Sequence, residues 1–304
     1  MDLLLSFLNT VSQSLLTICV TMIATMGIAL IFRTSTTTNF AQGAIAAFGT
    51  YFIATFAIEK GMHYLFAIPI GLTVGIVFGL AIDILIFRRG KNVNAVGKQI
   101  ITMGLVSILF GAMPLIFGAT EAPQLQPFIK GNLAIDMLGG SLSITKHSLI
   151  VVIITVVLLT ILFILLYKSK WGLGVRVTAA NEAMAGIVGI NTHVITATSW
   201  AIAAGLGVLA AFMLAAGNAI LTPSFMTKTQ VNAFLASILG GFSSFIGPVI
   251  GAIIIPLAVA IVSWLGKIDP FFQSWAEVIV YVLLLITVLI KPEGLFGKKI
   301  AKKV

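Results

Sequence analysis

An all-α, polytopic membrane protein is the fold class the sequence predicts, and three observations predict it. Of the 304 residues, 59% are hydrophobic and only 9% are charged, against about 25% charged in a soluble domain; mean hydropathy is +1.14. The apolar residues run in stretches close to the ~20 that a helix needs to cross a bilayer. The basic residues fall in short clusters between those stretches, so the net charge of +9 reads as loop bias at one membrane face and not as a nucleic-acid surface. One transmembrane domain, residues 1–304, with eight to ten crossings and almost no extramembrane mass is therefore expected.

Polar interruptions divide the chain into apolar segments 8–32, 40–58, 65–87, 100–118, 148–167, 196–217, 231–246, 247–266 and 275–290. About nine transmembrane helices are expected, some broken or re-entrant. The chain opens Met1, Asp2, Leu3 without a basic n-region or a small-residue cleavage site, so its first segment is expected to remain as a membrane helix. Segment 231–246 is short and interrupted by Gly240 and Gly241, which leaves a short crossing, a broken helix or a re-entrant piece open. Arg88, Arg89, Lys91 and Lys98 share one loop; Lys168, Lys170 and Arg176 share another; the 291–304 tail carries Lys291, Lys298, Lys299, Lys302 and Lys303. All three are expected to be cytoplasmic, which places the N-terminus outside and the C-terminus in the cytoplasm. In the 119–147 connection Glu121 and Asp136 cancel Lys130 and Lys146, and Pro123, Pro127, Gly139 and Gly140 predict an external loop of turns or a small hairpin.

The 168–195 stretch is too polar to span and too patterned for a flexible linker. Asn181 is placed to cap a short helix, with Glu182 in the favourable first turn and Gly189 as its stop. Ala183, Met184, Ile187 and Val188 make one apolar side. A lipid-interface helix is one reading of that side. Docking into a partner protein is the preferred one, because the helix is short, weakly basic and lacks the Trp or Phe of interfacial anchors.

These residues resemble the coupling loop of bacterial ABC-importer permeases of the branched-chain amino acid type. Three further stretches fit the same family: Asn39-Phe40-Ala41-Gln42-Gly43 with Phe48-Gly49-Thr50-Tyr51; Leu239-Gly240-Gly241-Phe242-Ser243-Ser244-Phe245-Ile246-Gly247-Pro248 with Gly251; and Lys291-Pro292-Glu293-Gly294-Leu295-Phe296-Gly297. The chain departs from the family pattern in having Gln42 where His is usual and Lys291 where Arg is common. The importer signature Glu-Ala-Ala followed by Gly is present only as Glu182-Ala183 with Gly186 and Gly189 nearby. The resemblance implies a membrane-spanning importer subunit in a bacterial cell membrane, paired with a related permease or a copy of itself. It further implies two cytoplasmic ABC ATPase subunits that dock on this loop, and an external substrate-binding protein; energy coupling is expected at Asn181, Glu182, Ala183, Ile187, Val188 and Gly189. Hydrophobic amino acids are the expected cargo, with urea, short amides, sugars or nucleosides as alternatives.

No GxxxxGK[ST] sequence occurs, so ATP hydrolysis is expected in separate subunits and no enzyme activity, cofactor or metal is expected in this chain. An ion-coupled carrier or a passive channel is the reading from a different class, and the former needs ionisable groups deep in the bilayer. Asp83 reads as a helix-end ion pair with Arg88 or a snorkelling group, Glu277, close to the external start of the last helix, reads the same way, and Arg33 reads as an inside anchor. His63, His147 and His193 read as solvated loop residues, lone Cys19 as packing, and no charge pair offers itself to clamp a zwitterion. Two chain breaks stand out instead. Hydroxyl and amide side chains crowd residues 33–43, and Ser243 and Ser244 follow a double glycine. Asn39 and Gln42, with Ser243 and Ser244 opposite, are expected to line or gate a translocation route, while Gly43, Gly240 and Gly241 permit bends and close approach.

Overall fold

The protein, described here by a computed structural model covering residues 2–90, 93–118, 124–137, 140–217 and 220–297, is built from eleven helices and one hairpin among those residues. Seven helices are long and apolar enough to cross a membrane: α1 (Asp2–Ser35), α3 (Tyr64–Ala81, continued by a π turn Ile82–Phe87), α4 (Ala95–Phe117), α5 (Lys146–Lys168), α8 (Thr192–Gly217), α10 (Ile246–Trp264) and α11 (Pro270–Ile290). Segments 40–58 and 231–246 yield something shorter. The first becomes α2 (Gln42–Ala54) with a π turn (Thr55–Glu59), and the second becomes α9 (Thr227–Gly240), of 13 and 14 residues respectively. With its π turn the first is an unbroken helical run over 42–59 of about 27 Å, just short of the ~30 Å hydrocarbon core, whereas α9 reaches only about 21 Å.

Helices α1 and α8 are the central pair and pack against each other more extensively than any other two elements. α8 is flanked by α2 and α3, and α1 by α9 and α10. Small residues make this close approach possible. The buried face of α3 consists of Ala67, Gly71, Gly75 and Gly79 at four-residue spacing, the pattern that lets membrane helices meet backbone to backbone. A methyl group on Gly79 would stand 2.7 Å from the Trp200 carbonyl of α8.

Strands β1 (Asn132–Met137) and β2 (Gly140–Thr145) pair antiparallel within the 119–147 connection. Their hairpin is tied to the start of α1: Asn9 donates to the Ser141 carbonyl at 3.3 Å and accepts from the Ser143 amide at 2.9 Å. With α1 about 51 Å long over its 34 residues, this end stands well clear of the opposite one, where Arg88, Lys168, Lys170 and Lys291 cluster at helix ends. We call these the hairpin end and the basic end. His147, read as solvated, is instead 3% exposed: it accepts from the Phe128 amide at 3.2 Å and bonds the Met213 carbonyl at 3.0 Å, tying the start of α5 to α8. Cys19 is buried in the core.

Candidate functional site

Thr34 and Ser35 bond back to carbonyls of the preceding turn at the end of α1, and Thr36 takes φ +49°, which reverses the chain. Residues 36–41 then re-enter the protein without helical structure, and non-helical backbone at membrane depth must find partners within the protein. Helices α4 and α9 supply them, and α8 anchors the start of α2. Thr102 of α4 accepts from the Phe40 amide at 3.2 Å. Gln230 of α9 accepts from the Gly43 amide and donates to the Phe40 carbonyl. Gln42 donates to the Ala203 carbonyl of α8 at 2.6 Å. Asn39 closes the set, accepting from the Ala41 amide at 3.0 Å and donating to Gln42 Oε1 at 3.1 Å.

Ala203 lies near the midpoint of the 26-residue α8, so this junction sits at the centre of the bundle, where the start of α2 meets the first turns of α9. Asn39 and Gln42 are almost fully buried. Two glycines make room for the Gln42 amide: a methyl on Gly207 would come within 2.8 Å of Nε2, and one on Gly27 within 3.1 Å. Gly43 is packed as tightly, its missing side chain being occupied by Gln230.

Ser243 and Ser244 lie elsewhere, in the turn between α9 and α10 at the basic end, where Ser244 Oγ accepts from the Gly247 amide at 3.0 Å. Asn39 and Gln42 are hydrogen-bonded to each other, and the serines belong to this separate turn. Here two glycine-rich stretches interlock. The Leu295 amide donates to the Leu239 carbonyl at 2.7 Å, and that of Phe296 to Gly240 at 3.3 Å. Gly241 and Gly294 have φ +86° and +83°, and a methyl on Gly294 would lie 2.6 Å from Gly241 Cα. Gly240 and Gly247 meet so closely that no side chain fits between them. Residues 298–304 of the basic tail lie outside the described residues.

The 168–195 stretch holds two helices, α6 (Lys170–Ala180) and α7 (Glu182–Ile187). Ser169 caps α6, accepting from the Gly172 amide at 3.0 Å; Trp171 donates to Thr198 of α8 at 2.8 Å, and Arg176 to the Leu166 carbonyl at 2.9 Å. Asn181 caps α7, accepting from the Met184 amide at 3.0 Å, and Gly189 ends it at φ +83°. Ala185 alone of α7 is buried; Met184, Ile187 and Val188 are 53%, 76% and 66% exposed. Behind α7 a polar cavity of about 360 Å³ is lined by Ser35, Asp83, Arg88, Lys98, Glu182 and His193 among others. Asp83 and Arg88 pair there at 3.2 Å, and Arg88 also donates to the His193 carbonyl at 3.0 Å. No cluster of metal-ligating side chains occurs among the described residues.

A model of the family described as "Branched-chain amino acid transport system / permease component" matches residues 10–288. The chain belongs to this permease family. The permease is 27% identical to a probable branched-chain amino acid transport permease protein LivH of Methanocaldococcus jannaschii, over 90% of this chain and 87% of that one. It is 25% identical to the high-affinity branched-chain amino acid transport system permease protein BraD of Pseudomonas aeruginosa, over 88% of each. With LivH of Escherichia coli K12 the identity is 29%, over 54% of this chain and 52% of that one. No solved structure matches the permease.

Sequence reasoning missed Gln230, the residue that completes the central junction. It lies one position before the apolar segment 231–246, and its partners Phe40 and Gly43 are 190 and 187 residues away. The available signal was an amide, with Thr227, Lys228 and Thr229, heading a helix too short to span. Glu277, read as an ion-paired or snorkelling group near the start of the last helix, pairs with Lys228 of α9 and is the eighth residue of α11.

Proposed function

We propose that this permease is the membrane-spanning subunit of an ATP-driven importer for hydrophobic, branched-chain amino acids. It would sit in the cell membrane with the hairpin end outside and the basic end in the cytoplasm, as the positive-inside bias of Arg88, Arg89, Lys168, Lys170, Arg176 and Lys291 favours. The observation that carries this reading is α7. All its side chains except Ala185 face outward, and a turn exposing Met184, Ile187 and Val188 at a basic, water-facing end needs a protein groove to cover it. Its mount is stiff, because α6 is tied to both α5 and α8. A push on α7 would therefore reach the central helix pair. ATPase subunits are the assigned occupants of that turn, through Asn181, Glu182, Ala183, Ile187, Val188 and Gly189. A second permease, identical or related, and an external binding protein complete the assembly.

The route is assigned to the central junction and the basic-end turn. Asn39, Gln42 and Gly43 hold the gate at mid-depth, where helix starts converge around non-helical backbone. Ser243 and Ser244 line its inner mouth, and Gly240 and Gly241 are the pivot on which α9 meets the tail.

Ala183→Arg tests the coupling assignment in reconstituted vesicles. The variant should insert and assemble normally but lose leucine uptake and binding-protein-stimulated ATP hydrolysis at least tenfold; unchanged values for both would remove α7 from coupling. For the route, cysteines placed at 39, 42, 243 and 244 in a Cys19→Ala background should react with aqueous thiol reagents in at least one nucleotide state.

A further inference from the structure

One strip of α9 is left uncovered. Its exposed residues are Thr227, Lys228, Val231 and Ile238, which at ~3.6 residues per turn share an arc of about 100°; α1, α2, α10 and α11 pack on the rest of the helix. Lys228 is ion-paired with Glu277 of α11, and the two side chains are 62% and 41% exposed. The pair lies deep. Lys228 precedes by two residues Gln230, which bonds the central junction, and Glu277 is the eighth residue of α11, about 10 Å along from its start at the hairpin end. Above the pair, residues 220–226 come down from the end of α8 to the start of α9 without helical structure, and Ser224 is exposed among them. Pro223, Thr227 and Val231 line one recess of about 90 Å³, so the descending stretch and the strip make one continuous surface.

Lipid is a poor neighbour for this surface on two independent counts. Non-helical backbone at membrane depth is tolerated only inside protein or against a water-filled cavity, and ionised side chains within spanning segments turn toward protein or water. Depth also selects the partner. ATPase subunits meet the permease at the basic end and a binding protein at the hairpin end, so neither reaches the level of Lys228. Within the proposed assembly only the second permease spans the membrane.

We propose that this surface, Ser224 with the exposed strip of α9 and Glu277 of α11, is the seam on which the second permease subunit docks. Its charges are self-complementary. A face that carries one cation beside one anion meets a like face across a two-fold axis with each charge against its opposite, the isologous arrangement of closed dimers. The partner then shields residues 220–226 and the ion pair from lipid together. The seam rests on the two-permease assembly proposed above and names the face that each subunit offers to the other.

The complete complex in vesicles, with the photo-reactive residue p-benzoylphenylalanine in place of Ser224 or of Val231, tests it. On irradiation each position should give an adduct between two permease chains, whether with a copy of this chain or with a related one, at a yield at least fivefold above that from Ile161, which is 53% exposed on α5. Val231→Trp adds bulk to a side chain that is 41% exposed; it should lower the fraction of complexes holding two permeases at least fivefold, while Ile161→Trp changes that fraction less than twofold. Adducts with lipid alone, an equal or higher permease adduct yield at Ile161, or an unchanged two-permease fraction in Val231→Trp would overturn the seam. Should the Val231 variants fail to insert, the adduct from position 224, exposed and outside any helix, decides. Failure of the importer reading is separate: native mass spectrometry would then find a single permease chain in the unsubstituted complex, whereas two chains without adducts at 224 and 231 would remove only the seam.

Discussion

Replacing Gln230 by Leu keeps approximate size and removes two hydrogen bonds to backbone, one in the first turn of α2 and one in the non-helical stretch before it. The Gly43 amide and the Phe40 carbonyl lose their partner together. An orphaned buried polar group costs ~1–3 kcal/mol, so the pair amounts to ~2–6 kcal/mol. Side-chain hydrogen bonds between membrane helices average only ~0.6 kcal/mol, because the unfolded chain in lipid also finds partners; two such bonds would give ~1.2 kcal/mol. The larger figure should win here. Residues 36–41 turn back through Thr36 at φ +49°, and the other partners of this stretch, Thr102 and Asn39, are already engaged. Reversible unfolding of the purified chain in mixed micelles, read as the shift in unfolding free energy, measures it. Thr73→Val is the control, since it removes one bond on an exposed helix face and should cost under ~0.5 kcal/mol. A Gln230→Leu loss below ~1 kcal/mol would refute the claim that this glutamine holds the re-entrant stretch.

Gly294→Ala should destabilise by at least ~1–2 kcal/mol, because its left-handed backbone is strained for any other residue and the new methyl would meet Gly241 Cα at 2.6 Å; the same unfolding assay, with faster proteolysis of the tail, checks it. Arg88→Gln should be more harmful than Arg88→Gln combined with Asp83→Asn, since the single change leaves a carboxylate that is 3% exposed without its cation; a thermal melt of the two variants gives the order. Ile187→Lys, at a position 76% exposed, should change unfolding free energy by less than ~0.5 kcal/mol while reducing ATP-dependent uptake several-fold. Equal loss of stability and uptake would make α7 a structural element.

What the sequence disclosed was whatever local pattern decides. The Asn181 cap and the Gly189 stop concern neighbours a few residues apart, and both appear where the pattern put them. The hairpin in the 119–147 connection and the Asp83–Arg88 pair are of the same kind. Segment 40–58 was legible as a helix, found over 42–59, but the partners that hold its start, Gln230, Thr102 and Ala203, were not, because they are distant in sequence. Likewise Gly241 and Gly294 could be recognised as positions needing glycine, yet nothing nearby told that they press on each other. Glu277 had an ordinary local explanation at a helix start. Only the placement of Lys228 on a half-length helix brings its partner to that depth.

The long sequence separation at the central junction also sets a timetable for biosynthesis. Phe40 and Gly43 leave the ribosome 190 and 187 residues ahead of Gln230, which at ~5–20 residues per second is a wait of roughly 10–40 s. During that interval α1 and α2 are already made, but the stretch joining them lacks the amide that satisfies it. It must stay near water, or be shielded by the insertion machinery, until α8 and α9 arrive. Membrane integration of the first third of this protein is thus completed by its last third, and a chain truncated before residue 230 should be held at the translocon or degraded instead of settling as a stable half-bundle.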